Sequence, residues 1–152
     1  TGYPGTGGEI RVTSLKTLDA RKYNIKDLRY YCIDENYIYY TVSSDEILGK
    51  YMDGFGVTRD FVKPAEGIIY RTKLDDSDGT EVVAQVYNAS FVGQPVVLGN
   101  CLYIQYNQYS LDNNGMVCVE MGNYGSFAVV PLDGQGNVIS FASYQNNFYE
   151  QE

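Results

Sequence analysis

Short apolar runs separated by polar turns, with little helical periodicity, organise this chain. Runs of about 4 to 7 residues, rich in Val, Ile, Tyr and Thr and bounded by Gly, Asn or Asp, are the signature of strands. They fall at Glu9–Ser14, Tyr30–Ile33, Tyr37–Val42, Ile68–Leu74, Glu81–Val86, Pro95–Leu98, Cys101–Tyr106, Gly115–Glu120, Phe127–Leu132 and Val138–Ala142. Between them, Asp34-Glu35-Asn36, Leu98-Gly99-Asn100, Asp112-Asn113-Asn114-Gly115 and Asp133-Gly134-Gln135-Gly136 supply residues that tolerate positive φ, as hairpin turns require. The best helical stretch, Asp45–Lys50, is short and polar, and Gly49, Gly54 and Gly56 interrupt it. Ser43–Glu66 reads as a long irregular insertion and Tyr106–Asn114 as a shorter one. The pattern predicts an all-β fold.

A repeat runs through these strands. Gly8-Glu-Ile-Arg-Val-Thr-Ser-Leu15, Gly67-Ile-Ile-Tyr-Arg-Thr-Lys-Leu74 and Gly125-Ser-Phe-Ala-Val-Val-Pro-Leu132 align without gaps, each with glycine first and leucine last. A second recurring element precedes the later two: Tyr31-Cys-Ile-Asp-Glu-Asn-Tyr-Ile-Tyr-Tyr40 and Val96-Val-Leu-Gly-Asn-Cys-Leu-Tyr-Ile104 are hairpins with short polar turns. Each period of roughly sixty residues then holds about four antiparallel strands, the unit of a propeller blade, with the two insertions at corresponding places. The chain divides into a flexible lead-in, residues 1–7, and one repeat unit, residues 8–152.

Tyr37-Ile-Tyr-Tyr-Thr41 followed by Gly67-Ile-Ile-Tyr-Arg-Thr-Lys-Leu-Asp75 resembles the blade of the low-density-lipoprotein-receptor-type YWTD propellers and their bacterial surface relatives. Tyr39, Tyr40, Thr41 and Val42 stand at the first motif of that blade, keeping Tyr and Thr but lacking the Trp and Asp. Leu132-Asp133-Gly134 matches the second motif, Leu74-Asp75-Asp76 lacks its glycine, and Tyr103-Ile104-Gln105-Tyr106 hardly keeps the first. The resemblance implies antiparallel four-stranded blades in a binding scaffold that is often secreted or on the cell surface. It carries over no catalytic residue. The chain holds about two and a half blades where a propeller needs at least four, so a partial or oligomer-completed propeller is expected, with further blades of the same polypeptide or copies of itself as partners.

Composition then narrows the chemistry. The 152 residues suit one domain, and 11 Lys+Arg against 19 Asp+Glu give a net charge of −8, with no basic footprint for nucleic acid. The absence of histidine removes Ser-His-Asp and Cys-His catalysis, histidine-containing zinc sites and a histidine pH switch. No run approaches the roughly 18 apolar residues of a membrane span, and no signal peptide is evident. The opening Thr1-Gly2-Tyr3, without an initiator Met, suggests a processed product or a piece of something longer. Cys32, Cys101 and Cys118 lack C-x-x-C spacing; Cys101 and Cys118, on the two arms of one predicted hairpin, are a candidate disulfide, with free buried thiols as the alternative.

Motifs for ligands mostly fail on register. Asp75-Asp76-Ser77-Asp78-Gly79 invites Ca²⁺, but an EF-hand register puts Leu74 first and Gln85 last, and Ser110–Gly115 fails likewise with Met121 at its last place. Gly54-Phe55-Gly56 meets Arg59 where a third glycine belongs, so neither phosphate nor any other cofactor is expected. Asn88-Ala89-Ser90 is a glycosylation sequon that has meaning only in a eukaryotic secretory protein. Asp45, Glu46, Asp53 and Asp60 crowd the long insertion and admit a carboxylate-dependent glycoside hydrolase as the enzymatic alternative. Tyr51, Phe55, Tyr106 and Tyr109 sit in Gly- and Asn-rich loops, where exposed rings would stack on a sugar or a partner protein. The sequence thus points to a non-enzymatic extracellular or cell-surface scaffold that binds protein or carbohydrate. The alternative is a subunit of a filament, adhesin or capsid whose arm Thr1–Gly8 and strand Glu9–Ser14 add to a neighbour's sheet.

Overall fold

A computed structural model of the chain describes residues 8–63, 67–75, 79–119, 126–133 and 142–144. Among them there is no helix, and fourteen strands form antiparallel sheets with one parallel edge. β1 (Gly8–Thr13) and β2 (Ala20–Ile25) form a hairpin. β3 (Leu28–Ile33), β4 (Tyr37–Val42), β7 (Ile68–Lys73) and β8 (Thr80–Val86) form an antiparallel meander, extended at β8 by β14 (Ala142–Tyr144) in parallel. β5 (Ile47–Met52) and β6 (Thr58–Val62) make a separate hairpin between β4 and β7. The second sheet centres on β11 (Cys101–Leu111), which carries β9 (Ala89–Val92) and β10 (Val96–Leu98) on one edge. Its other edge holds β13 (Ser126–Pro131), since Tyr103 pairs with both Val96 and Val129; β12 (Val117–Val119) pairs with its far end.

Three layers stack face to face. The first sheet is the middle one, which is why β4 reads Tyr-Ile-Tyr-Tyr-Thr with no alternation: both its faces are covered and residues Tyr37 to Thr41 are all buried. On one side Ile38 and Tyr40 meet Ile10 and Tyr23 of the β1–β2 hairpin. The hairpin is tied down where the Leu74 carbonyl accepts hydrogen bonds from Tyr23 OH and, at 2.9 Å, from Arg21 Nη1. On the other side Tyr37, Tyr39 and Ile69 pack with Leu102, Ile104, Ala128 and Val130 of the second sheet. Within the first sheet, Arg71 is buried over the Tyr37 ring, 4.0 Å from its centroid, with Nε 2.8 Å from Glu81 Oε2.

The repeat reappears in the hydrogen bonding. β4 and β7 pair Tyr39 with Arg71 and Tyr37 with Lys73, while β11 and β13 pair Tyr103 with Val129 and Cys101 with Pro131, the same register counted from the repeat glycines and the turn asparagines. The repeat leucines close the same bond: Leu74 N–H donates to Asn36 O at 2.8 Å and Leu132 N–H to Asn100 O at 2.7 Å. The turns entering β3 and β9 place Asp27 (φ 54°) and Asn88 (φ 50°) alike, and their carbonyls accept from Ser43 N–H and Tyr109 N–H, both at 2.8 Å. A Cβ on Gly8 would lie 2.6 Å from Leu28, and one on Gly67 2.4 Å from the Val86 carbonyl. Close approach explains why these two segments begin with glycine.

The structure corrects several expectations. Ser43–Glu66 is not irregular: it contains the β5–β6 hairpin, and the stretch that looked most helical, Asp45–Lys50, runs into β5. β11 continues five residues past Tyr106, so Tyr106 is not in a loop. β2 and β9 lie outside the expected runs; β2 buries only Tyr23, a single apolar signal among Arg21, Lys22 and Asn24. Of the expected strand Val138–Ala142, residues 138–141 lie outside the described residues, as do 1–7. Cys101 and Cys118 do not face each other. Cys101 stands opposite Leu98 and Pro131, whereas Cys118 stands opposite Ser110 at the far end of β11, roughly 30 Å away at ~3.3 Å per residue. A disulfide needs Cα atoms within about 7 Å, and all three cysteines are free thiols. Cys118 is exposed, and burial pushes the Cys32 thiol up to about 11.

Candidate functional site

Two hairpins project from successive repeats, and their tips are built alike. In Asp53-Gly54-Phe55-Gly56-Val57, Asp53 Oδ1 accepts from Phe55 N–H (3.0 Å) and Val57 N–H (2.9 Å), while Asp53 N–H donates to Val57 O and Gly56 N–H to Asp53 O. In Asp112-Asn113-Asn114-Gly115-Met116, Asp112 Oδ1 accepts from Asn114 and Met116 N–H, both at 2.8 Å, and the same two backbone bonds close the turn. Gly56 (φ 76°) and Gly115 (φ 75°) take the left-handed conformation that this D-x-x-G turn demands. Asp112–Gly115 reads as a hairpin turn in the sequence, but its match with Asp53–Gly56 shows only when the two four-residue motifs are set side by side.

The hairpins touch. Lys50 of β5 and Met116 form a parallel bridge, and a Cβ on Gly49 would lie 2.8 Å from the Gly115 carbonyl and 3.2 Å from Val117 Cγ2. Glycine at position 49 therefore sets the distance between them. Across the contact runs a row of rings: Tyr51 meets Phe61 edge-on, with centroids 6.1 Å apart, and Phe61 meets Tyr109 at 6.0 Å. Burial, with the Glu46 carboxylate nearby, raises the Tyr109 hydroxyl above its ordinary value. On the same two hairpins Phe55 is 92% exposed, and Ile47, Met52, Val57, Val62 and Leu111 are exposed as well. Cross-strand pairing puts Ile47 beside Val62 on one face of β5–β6, and Gly49 beside Phe61 on the other.

Of the four aromatic candidates, the structure brings Tyr51 and Tyr109 together through Phe61, a strand residue with no loop signal around it, and puts Phe55 on the tip of the same hairpin. Tyr106 is a correction: it is buried in the main core among Val92, Ile104 and Ala128 and offers no ring to a ligand. The insertion's carboxylates are largely engaged. Asp53 Oδ2 accepts from Arg59 Nε at 2.6 Å, and this bond, with those from the turn, holds the Asp53 carboxyl below its ordinary range. Glu46 accepts from Lys63 Nζ at 3.3 Å, and Asp60 stands opposite Lys50. Among the described residues no group of three or more Cys, Asp or Glu gathers as a metal site, and no helix is long and apolar enough to cross a membrane. Compared with known protein families, curated proteins and solved structures, the chain matches none.

Proposed function

We propose that the chain is a non-enzymatic, extracellular binding scaffold built from propeller-like repeats, with the paired hairpins as its contact surface. The observation that carries this reading is the pair itself: two D-x-x-G hairpins from successive repeats, docked edge to edge, sharing one row of rings and carrying exposed apolar side chains. Exposed aromatic and aliphatic groups concentrated at one place are how protein surfaces mark a partner. Met52 and Val57, at the same tip as Phe55, are exposed aliphatic side chains and favour a protein partner over a sugar. The register shared by β4–β7 and β11–β13 supports a blade-like repeat, and β1, whose edge away from β2 pairs with no described strand, supports completion by further blades or by copies of the chain. That open edge is also what favours the second reading, a subunit joined by strand addition.

Selection of displayed random peptides on the immobilised chain tests the proposal, with affinity electrophoresis in soluble polysaccharides as the carbohydrate arm. Recovered peptides should lose about tenfold or more in affinity for a Phe55→Ser/Met52→Ser variant with an unchanged circular dichroism spectrum. Failure to recover peptides, or binding indifferent to both substitutions, would sink the hairpin reading; polysaccharide binding that disappears in the variant would move the ligand class to carbohydrate. Glycan hydrolysis abolished by Asp53→Asn would establish the enzymatic alternative, although a carboxyl held low by Arg59 is poorly suited to donating a proton near neutral pH.

A further inference from the structure

The three-layer stack has two unlike ends. At one end the outward face of β1–β2 is polar, carrying Glu9, Arg11 and Lys22, with Lys22 Nζ 3.1 Å from Glu9 Oε2. At the other end lies the outward face of the second sheet. Its cross-strand rows are Val96–Tyr103–Val129 and Leu98–Cys101–Pro131, opposite to the side that packs Leu102, Ile104 and Val130 into the core. Phe127 and Gln105 lie on the same side. None of these side chains is charged, in a chain where 20% of residues are, and Leu98 and Phe127 remain 63% and 60% exposed.

The first sheet shows what such a face does. By the shared register, Tyr103 and Val129 correspond to Tyr39 and Arg71, and in the first sheet that face is buried beneath the second sheet. In the second sheet no described strand lies over the same face, where Leu98 and Phe127 are exposed. We infer that this face is the contact between two copies of the chain, joined second sheet to second sheet about a two-fold axis. Head-to-tail stacking would press it onto the charged face of β1–β2 and strand Glu9, Arg11 and Lys22 away from water, which is costly. Face-to-face packing buries no charge, leaves the polar ends outward and stops at two. Each chain's charge of −8 lies elsewhere, so raising the salt concentration screens the repulsion between copies and leaves the apolar contact intact.

Sedimentation and light scattering over a concentration series test this. The mass should rise from 17.1 kDa to twice that value and no further, more readily at high salt. A Phe127→Lys/Val129→Lys variant should stay at 17.1 kDa, and Leu98→Lys alone, at a still more exposed position, should do the same if the double variant fails to fold. Maleimide labelling gives a second readout: dimerisation should slow Cys101 and leave Cys118, on its exposed hairpin, unaffected. A monomer at every concentration, growth past the dimer, or a dimer indifferent to these lysines would overturn the inference. Phe55→Ser/Met52→Ser should leave the dimer intact, so failure of the hairpin reading and failure of this one are distinguishable.

Discussion

Asp53 and Asp112 each close a turn around their own carboxylates, and at Asp53 this local use of charge is pH-sensitive. Bonds from Arg59 and from two backbone N–H groups stabilise ionised Asp53, so its folded pKa lies below the unfolded one. The stability it gives the tip is present above the unfolded carboxylate range and is lost as pH falls through the folded value. Amide exchange at Phe55 and Val57 should therefore accelerate in acid, and Asp53→Ala should show the acid behaviour already at neutral pH. Tyr39 has the opposite sense. Burial, and then the Asp34 carboxylate, push its hydroxyl up to about 12, so the neutral phenol stabilises the fold below the ordinary tyrosine range and that contribution disappears as pH rises toward 12. Tyr39→Phe should shift alkaline unfolding upward in pH, read by circular dichroism against phenolate absorbance.

At the scale of elements, the repeat strands were legible in the sequence and the inserted hairpins were not. β1, β7 and β13 announce themselves because glycine opens each repeat segment and leucine ends it, and at Gly8 and Gly67 a Cβ has no room. Gly67→Ala, with φ at 76° and the Val86 carbonyl in the way, should cost about 1–3 kcal/mol in denaturant unfolding. β5 and β6 bury little: Lys50, Met52, Arg59 and Asp60 all face solvent, so no apolar run betrays them. What holds them is turn chemistry and the neighbouring hairpin, and both come from residues distant in sequence or too short a motif to weigh alone. Tyr106 misled for the converse reason, because a strand that continues through Asn107 and Gln108 looks like a loop by composition. Gly49→Val should part the hairpins while both sheets persist, loosening the Phe61–Tyr109 ring contact and shifting the Tyr109 ring resonances in NMR.

The molecule as a whole is a middle sheet with two coverings of unequal strength. The second sheet shares the large core, whereas β1–β2 rests on a smaller one around Ile10, Tyr23, Ile38 and Tyr40, plus the bonds to the Leu74 carbonyl. Tyr23→Ala should release the hairpin at a cost of about 3–5 kcal/mol, so that amides of the β1–β2 hairpin exchange faster while those of Leu102 and Ile104 stay protected. The two tips have a different kind of independence. In each D-x-x-G turn the aspartate and glycine make the frame, and the two residues between them, Gly54-Phe55 in one and Asn113-Asn114 in the other, project away from both cores. Mutation there is nearly free of folding cost, so the chemistry displayed at the tips, which we propose serves recognition, is open to rapid diversification, by natural drift or by deliberate grafting, on an inherited framework that does not change.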